Sequence, residues 1–236
     1  MRDLGPSTYI QDKDFNPDRV EGTCEWFLRH QLFTEWHKRG GSRLLWVSGD
    51  PGCGKSVLSK YLVDEKLRKS DNQSTCYYFF KDLPGRNSAA TALKAILHQL
   101  FDQQPILLKY VVDDLNRTEA GFIHTFETYW DILLKAARSS EAHNIICILD
   151  ALDECQDSGL KIIGKLNHFY NAESQSFKPS LKFLITSRPY RDIEQIFVVL
   201  TRSMPTIRLA GEEAQNVNVI NREIHLIVDF KINNMP

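Results

Sequence analysis

The run Leu44-Leu45-Trp46-Val47-Ser48-Gly49-Asp50-Pro51-Gly52-Cys53-Gly54-Lys55-Ser56 decides the fold. Its apolar start reads as a buried strand, and the loop behind it fits G-x-x-x-x-G-K-[ST] in full. Each residue type has a chemical reason. Glycines let backbone N–H groups turn inward and approach phosphate oxygens with no Cβ in the way. A helix opening at Lys55 aims unpaired N–H groups and the positive end of its dipole at the same anion. Lys55 supplies a point charge to the β- and γ-phosphates, and the Ser56 hydroxyl completes the shell of a Mg²⁺ ion. By average residue frequencies the pattern arises by chance in roughly one chain in a hundred of this length. A strand before it and a helix after it make coincidence rarer still. Gly49, Asp50, Pro51, Gly52, Cys53, Gly54, Lys55 and Ser56 are therefore the expected seat of a nucleoside triphosphate, with Cys53 a tolerated small residue rather than a redox switch.

Working outward, strand-like and helix-like segments alternate. Before the loop, residues 23–39 carry Trp26, Phe27, Leu32, Phe33 and Trp36 at helical intervals, stopped by Gly40-Gly41. Behind it, residues 55–69 keep a helical pattern. Cys76-Tyr77-Tyr78-Phe79-Phe80, Ile145-Ile146-Cys147-Ile148-Leu149, Leu181-Lys182-Phe183-Leu184-Ile185-Thr186 and Thr206-Ile207-Arg208-Leu209 read as strands. Helices are expected near residues 89–101, 106–115, 125–139, 159–171, 193–200 and 217–232, with a polar loop near 173–178. Several strands are apolar on both faces, the pattern of a mainly parallel sheet covered on both sides. The expected fold is α/β: a P-loop NTPase of three layers, α/β/α, around five mainly parallel strands. Residues 1–19 read as a flexible, poorly ordered lead-in, 20–211 as the nucleotide-binding domain, and 212–236 as the start of a helical extension that continues in something longer.

Composition excludes little and suggests nothing unusual. With 236 residues, 42% hydrophobic and 25% charged, the chain has the make-up of an ordinary globular domain. A formal net charge of −1 creates no field that would attract nucleic acid or anionic lipid, so neither is expected as a partner. The five cysteines are scattered, without zinc-site spacing, and read as reduced thiols of a cytoplasmic protein. No apolar run approaches the roughly 18 residues of a membrane span. The histidines share no ligand spacing, and the tryptophans read as core; plain packing is favoured for Trp26 over stacking on a purine.

Two further strand ends carry polar residues. Ile145–Leu149 terminates in Asp150, where a phosphate-loop protein needs a carboxylate for magnesium, so Ser56 and Asp150 are the candidate metal residues. Asp153 and Glu154 follow. Ligands of open α/β sheets lie beyond the carboxyl ends of the strands, so either acid is a candidate to orient an attacking water. Spacing does not choose between them. The fourth strand exits through Thr186-Ser187-Arg188-Pro189, whose hydroxyls and guanidinium form a candidate reader of the γ-phosphate.

Together these residues resemble the NACHT-type branch of the signal-transducing P-loop NTPases, in the form found in fungal heterokaryon-incompatibility proteins and nephrocystin-like N-terminal domains. The resemblance rests on Thr23-Cys24-Glu25-Trp26, on residues 44–56, on Ile148-Leu149-Asp150-Ala151-Leu152-Asp153-Glu154-Cys155 and on Ile185-Thr186-Ser187-Arg188-Pro189. It spans about residues 20–230. It implies that the strand ending at Thr186 lies between the phosphate-loop strand and the one ending at Asp150, and that Arg188 senses the γ-phosphate. It also implies a switch that binds ATP (or GTP) with Mg²⁺, turns over slowly, self-associates and serves signal transduction in self/non-self recognition and innate immunity. Nothing here corresponds to the winged-helix region, effector or repeat sensor of full-length relatives, so signal and output are unassigned. Two other readings compete: a module that holds nucleotide without hydrolysing it, and a small-molecule kinase. The kinase reading wants a lid rich in arginine, for which Arg86 and Arg117 are the isolated candidates.

Overall fold

A computed structural model describes residues 8–68, 70–110, 112, 125–173, 180–189, 205–209 and 214–234. Five strands form the sheet: β1 (Arg43–Gly49), β2 (Gln73–Phe79), β3 (Asn144–Asp150), β4 (Leu181–Ser187) and β5 (Thr206–Leu209). All pair in parallel, in the order β2-β3-β4-β1-β5. The strand ending in Thr186-Ser187 thus lies between the phosphate-loop strand and the Asp150 strand, as the resemblance implied. Around the sheet, in chain order, are α1 (Tyr9–Asp14), α2 (Glu25–Arg29), α3 (Gln31–Lys38), α4 (Lys55–Tyr61), α5 (Ala89–Gln103), α6 (Phe126–Ala137), α7 (Leu160–His168) and α8 (Ala214–Asn233).

The apolar runs are explained by the pleat. Successive side chains point to opposite faces, so a strand covered on both sides needs apolar residues at every position. Leu44 and Trp46 of β1, Ile145, Cys147 and Leu149 of β3, and Phe183 and Ile185 of β4 join one core with α5, α6 and α7. Leu45, Val47, Ile146, Ile148 and Leu184 join the other, with Phe27, Phe33 and Trp36 of α2 and α3 and Leu58 of α4. Each such burial contributes about 1.5–3 kcal/mol before entropy is counted. Lys182 is the polar interruption: its ammonium crosses the end of α3 and donates to the carbonyls of His37 (2.8 Å) and Arg39 (2.9 Å).

Close approach decides the glycine at the end of β1. A Cβ added to Gly49 would lie 2.7 Å from Leu209 Cβ and 3.0 Å from its carbonyl oxygen, on the strand paired with β1. Gly49→Ala is expected to destabilise the domain by about 1–3 kcal/mol through this overpacking. Urea unfolding measures it, and an unshifted midpoint would mean that β5 does not pack there.

Several local expectations are corrected. The helix expected over residues 23–39 is two helices, because His30 is extended (φ −63°, ψ 130°). Its Nδ1 accepts the Leu32 N–H (3.2 Å) and caps α3; burial lowers the imidazole pKa, which suits an uncharged acceptor. Residues 105–108 form a 3-10 turn where a helix over 106–115 was expected, the remainder lying largely outside the described residues with the helix at 193–200, Arg117 and most of the 173–178 loop. Within the lead-in, residues 8–18 include α1, whose Tyr9 packs edge-on against Tyr77 of β2 (5.6 Å between ring centres). Local polarity hid this element because its stability comes from a partner far along the chain. At the other end, α8 meets the N-terminal segment through Glu223, both of whose carboxylate oxygens accept the Cys24 N–H (2.9 Å each).

Candidate functional site

Parallel pairing brings the carboxyl ends of β1, β3 and β4 to one edge of the sheet, the edge where α/β proteins bind ligands. The phosphate loop starts there. Gly52 (φ 83°) and Gly54 (φ 77°) adopt left-handed backbone, which side chains other than glycine's resist. A Cβ at either would meet nothing within 4 Å, so conformation rather than crowding demands glycine, and the space beside the loop is open. Asp50, Pro51, Gly52 and Gly54 are exposed; Cys53 and Ser56 are half-buried. Cys53 Sγ leans on the Leu209 carbonyl (3.8 Å) and ties the loop to β5. Lys55 folds back over the loop, donating to the carbonyls of Gly49 (2.6 Å) and Asp50 (2.9 Å). Burial lowers the pKa of its ammonium, opposed by Cys53, Asp153 and Asp150, while Arg188 adds to the lowering. Residues from all three sequence motifs therefore act electrostatically on one group.

Asp150, 1% exposed at the end of β3, is held from two directions. Its Oδ1 accepts hydrogen bonds from Ser59 Oγ and Thr186 Oγ1, both at 2.7 Å, and Thr186 Oγ1 in turn accepts the Ala151 N–H (2.9 Å). Its Oδ2 is buried and has no hydrogen-bond partner. A carboxylate oxygen removed from water without a partner is costly, and a cation, directly or through its water, is the chemistry that compensates it. The donor set therefore fits a hard, oxygen-seeking divalent ion. Ser59 was missed from sequence. Its signal was available, one helical turn past Ser56 on α4.

After β3, Ala151 is left-handed (φ 55°) and turns the chain into the short 3-10 segment Leu152–Glu154. That turn sends the two acids to different tasks. Asp153, with a side chain 4% exposed, spends both oxygens on Arg188: Oδ1 accepts its backbone N–H (3.0 Å) and Oδ2 pairs with its Nε (3.3 Å). Glu154 Oε2 accepts the Asp82 N–H (3.2 Å), and burial raises its pKa. It faces a cleft of about 350 Å³ lined also by Asp82, Asn87, Asp153, Cys155, Gln156 and Arg188. The hydroxyls of Thr186 and Ser187 are turned into the sheet. Thr186 is committed to Asp150, and Ser187 Oγ accepts the Trp46 Nε1–H (2.9 Å); both residues are fully buried, and Arg188 is left at the open edge.

With this geometry in place, residues 22–188 match the family described as nephrocystin 3, N-terminal. The chain belongs to that family. The match runs from just before α2 through the phosphate loop and the acidic strand end to Arg188, so it contains every group of the site. This nephrocystin 3 N-terminal chain is also 27% identical over 174 residues to the vegetative incompatibility protein HET-E-1 of Podospora anserina, an alignment covering 72% of the chain and 12% of that much longer relative. Among solved structures it resembles the Aeropyrum pernix ORC2 protein, described as ADPNP-ADP complexes, with a TM-score of 0.54 at 17% identity, covering 92% of this chain and 55% of that one. The structural likeness shows the α/β fold of P-loop proteins, and the family match together with the relative supports a nucleotide-binding NTPase module. Among the described residues no helix is long and apolar enough to cross a membrane.

Proposed function

We propose that this chain is a Mg²⁺-dependent nucleoside-triphosphate switch that hydrolyses its ligand slowly. The observation that carries the reading is Asp150: a buried carboxylate with one oxygen fixed by two hydroxyls and the other unpartnered, on the strand-end edge that also carries the glycine loop. Backbone N–H groups of residues 52–56 grip the phosphates, and Lys55 transfers its ammonium from loop carbonyls to phosphate oxygens. A divalent cation supplies charge neutralisation when bound, and Ser56 and Asp150 are the residues that would hold it. Arg188, steered by Asp153, meets the γ-phosphate, while Glu154 orients water in the cleft. ADPNP and ADP in the Aeropyrum structure favour ATP over GTP here. Likeness to a vegetative incompatibility protein supports a signalling role in self/non-self recognition; self-association through this domain and a cytoplasmic location are part of the same proposal.

The kinase reading loses one of its two lid candidates, since the Arg86 guanidinium is paired with Asp12 of α1 (2.7 Å), while Arg117 lies outside the described residues. Calorimetry with ATP and GTP, with and without Mg²⁺, tests the proposal. Asp150→Asn is expected to weaken Mg²⁺-dependent binding about tenfold or more, a loss of about 1.4 kcal/mol, and to leave metal-free binding unchanged. Equal losses under both conditions would reduce Asp150 to a structural residue. Tight retention of nucleotide with no phosphate release would favour the non-hydrolysing module instead.

A further inference from the structure

The Asp12 carboxylate lies almost wholly buried, 2% exposed, on a helix outside the family-matched residues. Buried charge is retained at a cost unless it is paired and hydrogen-bonded. Here Thr8 Oγ1 donates to Oδ2 (3.0 Å) and Arg86 Nη1 donates to Oδ1 (2.7 Å). Arg86 belongs to the turn that follows β2, and that turn is closed around it. Its carbonyl accepts the Tyr78 hydroxyl (3.1 Å) and the Lys81 N–H (3.3 Å), while its own N–H donates to Leu83 (3.0 Å). Side chain, carbonyl and amide of this one arginine are thus all engaged.

The same turn forms one wall of the cleft. Asp82 N–H donates to Glu154 Oε2 (3.2 Å), and the Asn87 carbonyl, next to Arg86, accepts the Gln156 N–H (2.6 Å). Both ends of the turn therefore hold the acidic segment after β3, and Arg86 sits between those two anchors. We infer that Asp12 and Arg86 are positioning residues for Glu154: the buried ion pair locks the β2–α5 turn, and the turn aims the glutamate into the cleft. The inference rests on the reading of Glu154 as the water-orienting carboxylate. It extends the working site to α1, a helix with no chemistry of its own.

The charges acting on Glu154 are Lys81, Asp153 and Arg188, and Arg86 is not among them. Loss of the ion pair therefore reaches Glu154 through the turn, by weakening the Asp82 N–H bond that opposes the desolvation of its carboxylate. This separates positioning from direct electrostatics and gives a readout independent of turnover.

The test uses the full chain with Arg86→Gln, Asp12→Asn, Arg86→Lys and Glu154→Gln. Single-turnover hydrolysis in Arg86→Gln and Asp12→Asn is expected to fall about tenfold, the scale of a small misplacement of a catalytic group, with Mg-ATP affinity within about twofold of the parent. Carboxyl-detected NMR is expected to give an upward shift of the Glu154 pKa in both, and Arg86→Lys is expected to recover most of the rate. If Asp12→Asn fails to fold, the half-exposed Arg86 carries the test alone. An unchanged rate and an unmoved Glu154 titration in Arg86→Gln, with Glu154→Gln inactive, would overturn the inference and leave the parent reading standing. A fall in affinity as large as the fall in rate would mean a structural role only, and would overturn it too. Normal hydrolysis by Glu154→Gln would remove the parent reading, and this inference with it.

Discussion

Lys55→Ala is expected to lower Mg-nucleotide affinity by a factor of about a hundred or more while leaving the domain folded. In the free chain the ammonium is satisfied by the Gly49 and Asp50 carbonyls, and the space beside the loop is open. Alanine returns the exposed Asp50 carbonyl to water and leaves the carbonyl of the buried Gly49 short of one donor, a loss of about 1–3 kcal/mol that the fold tolerates. With a triphosphate in place the same ammonium makes charge-assisted hydrogen bonds to phosphate oxygens, each worth about 1.5–3 kcal/mol. Two of them outweigh the roughly 2.7 kcal/mol that a hundredfold change in affinity requires. Calorimetry checks the affinity and thermal unfolding checks the fold; unchanged affinity would refute the assignment of the loop. The pH dependence follows from the same group. Burial lowers the Lys55 pKa below the ordinary lysine value of 10.5, and nucleotide prefers the charged form. Affinity is therefore complete below that lowered pKa and declines as pH rises through it, earlier than for a solvent-exposed lysine.

Glu154→Gln is expected to cut single-turnover hydrolysis about a hundredfold or more and to leave nucleotide affinity nearly unchanged, the loss typical of a removed general base. Asp153→Asn is expected to behave differently. Both Asp153 oxygens are taken up by Arg188, so its loss removes the contacts that steer that residue and erodes the preference for triphosphate over diphosphate. Reversed phenotypes, with Asp153→Asn inactive and tight-binding and Glu154→Gln active, would exchange the two roles. Burial raises the Glu154 pKa above the usual 4.5, and a base works deprotonated. Turnover is therefore lost as pH falls through that raised value, at a higher pH than an exposed glutamate would allow, and a pH–rate profile measures it.

The sequence by itself determined what depends on local backbone and on periodicity. The left-handed positions at Gly52 and Gly54 were legible because glycine is the residue such backbone demands. Strands β1, β3 and, apart from Lys182, β4 were legible because burial on both faces writes an apolar run, and the end of β3 at Asp150 because a carboxylate cannot continue that run unpaired. Tertiary structure alone decided which polar groups meet. Ser59 and Thr186 converge on one oxygen of Asp150 from positions 91 and 36 residues away, a meeting that sheet register and helix placement alone bring about. Asp153 and Glu154 stand side by side in sequence, yet the left-handed Ala151 and the short turn after it commit one to Arg188 and the other to the cleft. The ordering of α1 likewise depends on Tyr77, Arg86 and a buried charge. Hydrogen bonds act over about 3 Å, a precision that sheet register and helix placement supply and that residue order along the chain does not contain.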